Sequence, residues 1–204
     1  MTSWEAIVKR GLDIVISCGV LLLLSPLLLL IALAVRLTSS GPSLFRQQRL
    51  GKDGVSFTIY KFRSMVVDAP DIRNPDGSAY NAPDDPRVTR VGRLLRKISL
   101  DELPQLVNVL KGEMSLVGPR PDQVDQLQYY TPQERRKLRV KPGVTGLAQI
   151  NGRNQIPWEQ RKQLDLEYVE RQSLSFDLHI LLQTIPYVLA RRDVFGSQDS
   201  FEGQ

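Results

Sequence analysis

From Ile14 to Val35 the chain runs 22 residues without a charge, IVISCGVLLLLSPLLLLIALAV. At ~1.5 Å per residue, a helix of that length matches a hydrocarbon core of roughly 30 Å. The segment exceeds the apolar length of a cleaved secretory signal and leads into RLTSSGPSLF without a small-x-small cleavage site, so retention in the mature protein is expected. A spanning helix is the default reading, but two features argue for another. Lys9 and Arg10 precede the segment and Arg36 follows it, so positive charge does not tell its two ends apart. Ser25 and Pro26 sit at its middle, where proline removes a backbone hydrogen bond and bends a helix, while Ser25 can bond back to a freed carbonyl. A helix that enters, breaks and returns to the same face therefore competes with a kinked spanning helix, and the physics of the segment leaves both open.

The rest of the chain must supply a polar body. With 204 residues, 42 % hydrophobic and 24 % charged, one main core is expected. Cys18 is the single cysteine, which excludes an internal disulfide and a cysteine-based metal site and fits a reducing, cytoplasm-facing environment. Any metal would need oxygen ligands. His179 is the single histidine, so a Ser-His or Cys-His relay has little to draw on, and carboxylates are the better catalytic candidates. Lys and Arg number 27 against 22 Asp and Glu, a net charge of +5. That excess points to an anionic partner: phosphate esters, nucleic acid or an acidic membrane surface.

Local signals predict an α+β, mostly helical fold. Two β-like runs, 43–47 and 56–62, are joined across RLGKDG as a hairpin. Residues 68–86, rich in Pro, Asp, Asn and Gly, read as a surface loop suited to a lid. RVTRVGRLLRKI resumes helical character, and SLDELPQLVNVLKG reads as a helix with Leu103, Leu106, Val107 and Leu110 at helical spacing and Gly112 as its stop. SLVGPRPD is a strand-like run into a rigid turn. YYTPQERRKLRV is expected to be a helix capped at Thr131 with Pro132 in its first position. KPGVTGLAQINGRN is too glycine-rich for regular structure and offers backbone amides with Arg153 and Asn154 to an anion. Two amphipathic helices follow, WEQRKQLDLEYVERQ and SFDLHILLQTIPYVLARR. The second carries a stripe of Leu178, Leu181, Leu182, Ile185, Val188 and Leu189, expected in the core by default and on a bilayer in the sharper reading.

Asp101 and Glu102 stand side by side in SLDELPQ. The plain reading makes them first-turn acids of a helix capped by Ser99, with Glu102 completing a capping box. The chemical reading starts from geometry: neighbours on a helix diverge by about 100°, so the two acids cannot share a proton and must do different jobs. Arg93, Arg96 and Lys97 lie close in sequence and can receive phosphate. A carboxylate kept ionised and free of strong pairing can attack phosphorus, while its neighbour holds a divalent cation that offsets the charge, for which oxygen ligation suits Mg²⁺.

These residues carry a resemblance. The ordered set KRGLDI, LLSPLLLL, GPSLFRQQRLGKDGVSFTIYKFRSM, DPRVTRVGRLLRKISLDELPQLVNVLKGEMSLVGPRP, KPGVTGLAQINGRN and LDLEYV…SLSFDLHILLQTI resembles the small monotopic phosphoglycosyl transferases of bacteria, the PglC-like sugar transferases, over roughly residues 7–192. The resemblance implies an enzyme of the bacterial cytoplasmic membrane, on its cytosolic face, that moves a phospho-sugar from a UDP-sugar to a polyprenol phosphate, usually undecaprenyl phosphate, and releases UMP. It implies a re-entrant helix broken at Ser25 and Pro26, Asp101 as nucleophile in a two-step path through an aspartyl-phosphosugar, and Glu102 as the Mg²⁺-side carboxylate. Lys61, Arg96, Arg120, Arg153 and Asp177 match the family's other site positions. The implied division is a membrane segment at 1–36, a catalytic domain at the membrane surface over 37–195 and a flexible tail at 196–204. The implied partners are the UDP-sugar, the polyprenol phosphate and the phospholipid membrane, not nucleic acid, and a homo-oligomer is compatible. A membrane-tethered basic module that recruits anionic lipid or nucleic acid is the competing reading.

Overall fold

The computed structural model describes residues 1–74, 80, 82, 84–152 and 155–190. Two N-terminal helices, α1 (Ser3–Leu23) and α2 (Ser25–Thr38), precede a hairpin of β1 (Leu44–Leu50) and β2 (Ser56–Phe62). Then come α3 (Arg90–Lys97), α4 (Gln105–Lys111), β3 (Ser115–Val117), β4 (Gly143–Thr145), α5 (Leu147–Ile150), α6 (Trp158–Arg171) and α7 (Leu174–Leu189). The body is mostly helical with a small antiparallel hairpin, and the main core joins Phe57 and Ile59 of β2 to Leu106, Val109, Met114, Leu116, Tyr168 and Ile180.

Among the described residues no single helix is long and apolar enough to cross a membrane, but α1 and α2 together pass that test as a pair bent by 64°. The bend falls where the sequence places it. Pro26 takes the first turn of α2, where its missing N–H costs nothing, and Ser25 Oγ donates to the Leu22 carbonyl at 2.8 Å. Leu22, Leu23, Leu29 and Leu30 are exposed, whereas Ile31 and Val35 pack with Phe62 and Leu95 in a second cluster. The basic residues before the segment are tied to the body. Arg10 donates to the Val109 and Leu110 carbonyls at 2.6 and 2.9 Å, capping α4, and Lys9 donates to Val117 O at 3.0 Å. Asp13 accepts from the Leu116 amide at 2.9 Å and from Ser115 Oγ at 3.1 Å.

Four expectations change in the folded chain. Ser99 is no helix cap: it sits in the left-handed region (φ 58°), and a 3₁₀ turn, Leu100–Glu102, is followed by a helix that begins only at Gln105. Pro104 is the reason, because a continuous helix would lack its N–H and clash with its ring; Gly112 (φ 84°) ends α4 as expected. Thr131 does exchange capping bonds with Glu134, but Glu134–Arg139 winds as a 3₁₀ segment, having Leu138 as its sole apolar residue and so no stripe to hold an α-helix against the body. The glycine-rich run is ordered, with β4 pairing parallel to β3 (Ser115 with Gly143, Val117 with Thr145). Here glycine permits close approach: a Cβ on Gly143 would meet the Gly118 nitrogen at 2.1 Å, and one on Gly146 the Gly118 carbonyl oxygen at 2.2 Å. Finally, α7 buries Asp177 and Ile180 and packs Leu181 against the main core, while Leu178, Leu182 and Ile185 are exposed, so only part of that stripe is core.

Candidate active site

A cavity of about 1070 Å³ opens between the hairpin, the C-terminal end of α2, the Leu100–Glu102 turn and the loop after β3. Each wall is set by local structure. β2 carries Lys61 at its last turn inward, opposite Phe45 of β1. The 3₁₀ turn presents Asp101 and Glu102 together, since the break at Pro104 keeps both out of a regular helix. Pro119 and Pro121 bracket Arg120, and the Pro119 carbonyl accepts from the Gly143 amide at 2.9 Å, anchoring that loop to β4.

Glu102 is the hub. Its Oε1 accepts from Lys61 Nζ at 2.9 Å and from Arg120 at 3.0 Å. Glu102 holds the Arg120 guanidinium above its ordinary value. Burial lowers Lys61, against the pull of Glu102. Asp101 differs from its neighbour. It is 9 % exposed, and among the described residues no side chain hydrogen-bonds or ion-pairs with its carboxylate. Burial raises its pKa, and the Glu102 charge adds to the rise against Lys61, Arg96 and Arg120.

Of the cations that precede the acids, Arg96 lines the cavity and bonds Ser64 Oγ at 2.9 Å, whereas Arg93 and Lys97 are exposed and take no part in its wall. Arg153 lies outside the described residues. Asp177 is not brought to the cavity: it is 4 % exposed, accepts from Tyr168 Oη at 2.6 Å and pairs with Lys9, joining α7 to α1. Ser25 and Pro26 likewise lie away from it, at the bend.

The fold adds charged groups that sequence reasoning missed. Arg49 of β1 lines the cavity, held by the Pro121 carbonyl at 3.2 Å and Gln47 at 2.6 Å, and burial lowers it to about 10. Behind Arg120, Lys137 sits between Asp122 (2.6 Å) and Asp165 (2.8 Å). Burial works against charge at all three, yet Lys137 ends well above its ordinary value and Asp122 below, while Asp165 stays raised. Asp122 lies two residues after Arg120 in PRPD, so the turn motif is the available signal. Nothing local marks Lys137.

Around the adjacent acids Asp101 and Glu102 the cavity gathers Lys61, Arg49, Arg96 and Arg120, a cationic lining suited to a phosphate-bearing group. The family model of bacterial sugar transferases matches residues 4–191. The chain belongs to that family, the PglC-like phosphoglycosyl transferases that its motifs resemble. It is 46 % identical over 188 residues to the uncharacterized sugar transferase EpsL of Bacillus subtilis, covering 92 % of this chain and 90 % of that protein. It is 48 % identical over 187 residues to the UDP-glucose:undecaprenyl-phosphate glucose-1-phosphate transferase of Escherichia coli, covering 88 % of this chain and 39 % of that protein. With the undecaprenyl-phosphate glucose phosphotransferase of Komagataeibacter xylinus the identity is 44 % over 206 residues, covering 96 % and 38 %.

Proposed function

We propose that this chain moves a phospho-sugar from a UDP-sugar to a polyprenol phosphate such as undecaprenyl phosphate, at the cytosolic face of a bacterial inner membrane. The observation that carries the reading is the contrast inside the cavity: Asp101 is buried with no hydrogen-bond or ion-pair partner among the described residues, while the adjacent Glu102 takes the bonds of Lys61 and Arg120. An unpaired carboxylate in a cationic cavity is a competent nucleophile toward a phosphate whose charge the cations absorb. In the first step an Asp101 oxygen bonds to the β-phosphorus, the bond from that phosphorus to the bridging oxygen breaks, and UMP leaves with the electron pair. In the second, a phosphate oxygen of the polyprenol phosphate attacks the same phosphorus and Asp101 departs as carboxylate. Lys61, Arg49, Arg96 and Arg120 orient the diphosphate and oppose its charge.

Mg²⁺ fits this donor set in a limited way. Among the described residues there is no group of three or more His, Cys, Asp or Glu side chains that could hold a metal. Mg²⁺ needs only one or two carboxylates when water and substrate phosphates complete its shell. Glu102 would hold it, and the cation would supply charge neutralisation at the diphosphate. Lys61 and Arg120 already perform part of that task in the protein itself.

The α1–α2 pair reads as a re-entrant hairpin. Its support is the 64° bend and the exposed apolar side chains on both arms, with Leu178, Leu182 and Ile185 of α7 suited to lie on the same bilayer. Thr2→Cys and Ser40→Cys, each in a Cys18→Ser background, should then be labelled from the same side of sealed vesicles; labelling from opposite faces overturns the hairpin. For the chemistry, purified protein given UDP-sugar, Mg²⁺ and polyprenol phosphate should release UMP. Release by Asp101→Asn at the wild-type rate contradicts the covalent route.

A further inference from the structure

Gln149, on the short helix α5, is 7 % exposed and lines the same cavity, yet among the described residues neither its amide nitrogen nor its amide oxygen has a hydrogen-bond partner. An amide shielded from water with both ends unmatched is costly, and natural folds rarely keep one without a use. The backbone is shaped to accept it there. Gly146 opens α5, and a Cβ at that position would come within 2.8 Å of Gln149 Oε1 as well as meeting the Gly118 carbonyl oxygen. Trp158, at the start of α6, lines the same cavity and offers an aromatic plane, with Lys162 Nζ 4.8 Å from its ring centroid.

We propose that Gln149 reads the nucleobase of the donor: its amide pairs with the imide edge of uracil. The inference rests on the UDP-sugar reading above. A side-chain amide presents one donor and one acceptor in a plane, and a uracil edge presents a carbonyl oxygen beside an N–H in the complementary order. Nε2 donates to the carbonyl, Oε1 accepts from N3–H, and the softly restrained amide torsion lets the plane turn to meet the ring. Both orphan groups are satisfied at once, and Trp158 supplies a surface on which a base can stack. An acetamido group on the sugar has the same donor and acceptor chemistry, so the probes must separate the two sources.

The test uses the full chain in nanodiscs, with UMP and inorganic pyrophosphate as calorimetric probes and Gln149→Leu as the variant. Expected are a loss of UMP affinity of about tenfold or more, unchanged pyrophosphate affinity and an undiminished Tm, because a leucine removes the orphan groups while keeping the bulk. Gln149→Glu, which keeps the shape and loses the donor, should weaken UMP in the same direction if the leucine variant does not fold. Unchanged UMP affinity with a lowered Tm makes Gln149 a packing residue and overturns the proposal. Unchanged UMP affinity with altered discrimination between UDP-N-acetylglucosamine and UDP-glucose assigns the amide to the sugar and overturns it too. Failure of the wild type to bind UMP refutes the donor reading itself, and this inference with it.

Discussion

Two buried aspartates divide this molecule into a region built to hold and a region built to react. Asp177, on α7, has Lys9 and Tyr168 on its two oxygens, so its charge is consumed in joining the N-terminal helix to the body. Burial and the Asp177 charge push the Tyr168 hydroxyl up, which keeps it a donor. Asp101 is buried almost as deeply, yet Glu102 takes the bonds from Lys61 and Arg120, and Asp101 feels those cations only through space. Identical chemistry thus yields opposite roles according to how many donors the fold brings to the carboxylate. Saturation makes a clamp. Withholding partners leaves a carboxylate open to the nucleophilic role proposed for it, at a cost in stability.

Substitution breaks the comparison most sharply at Asp101. Asp101→Asn should lower UMP release by at least ~10³-fold, since no other group takes over the covalent step. Asp177→Ala should leave Lys9 buried without its carboxylate, costing about 3–5 kcal/mol in chemical denaturation, while the remaining folded protein turns over at close to the wild-type rate. An Asp177→Ala protein that is stable but inactive would place Asp177 in the reaction and collapse the distinction. Glu102→Gln, which strips the negative charge from between Lys61 and Arg120, should cost about 10²-fold in turnover.

The smallest effect is also the most diagnostic of the withheld partners. Because burial and Glu102 hold the Asp101 carboxyl above its unfolded value, ionising it opposes folding. That opposition is absent below the unfolded value of ~3.9 and complete once the pH exceeds the folded value. Asp101→Asn should therefore be more thermostable than the wild type at neutral pH, by roughly 2–4 °C for each ~1 kcal/mol relieved, with the gain fading as the pH falls toward ~3.9. The same shift moves the acid limb of kcat/KM for UMP release above the position an ordinary aspartate would give it. Asp177→Asn should show no such gain.

What the sequence made legible follows the reach of each signal. The hairpin, the break at Pro26 and the stop at Gly112 depend on residues a few positions apart, and the folded chain has them, with β1 extended through Leu50. The parallel β3–β4 pair was hidden because its partners are remote in sequence and glycine reads as loop until a close approach is known. Pro104 interrupts a leucine spacing that by itself reads as a continuous helix, and the proline prevails. At the site, Lys61, Arg96, Arg120, Asp101 and Glu102 do line one cavity, but only the tertiary fold shows that Glu102 is paired with two cations and that Asp101, among the described residues, is not. Arg49 and Lys137 have no local mark. Asp177 carried a family match, yet its partners are on α1 and α6, and only the fold reveals that they occupy it.

One measurement reaches the central claim directly. Wild-type protein incubated with a UDP-sugar carrying radioactive β-phosphate, without lipid acceptor, should become labelled in step with UMP release. The label should map to Asp101, be absent from Asp101→Asn, and leave on addition of polyprenol phosphate. An unlabelled wild-type protein that still turns over once the lipid is added would mean that the lipid phosphate attacks the donor directly, and would contradict the assignment of Asp101 as nucleophile.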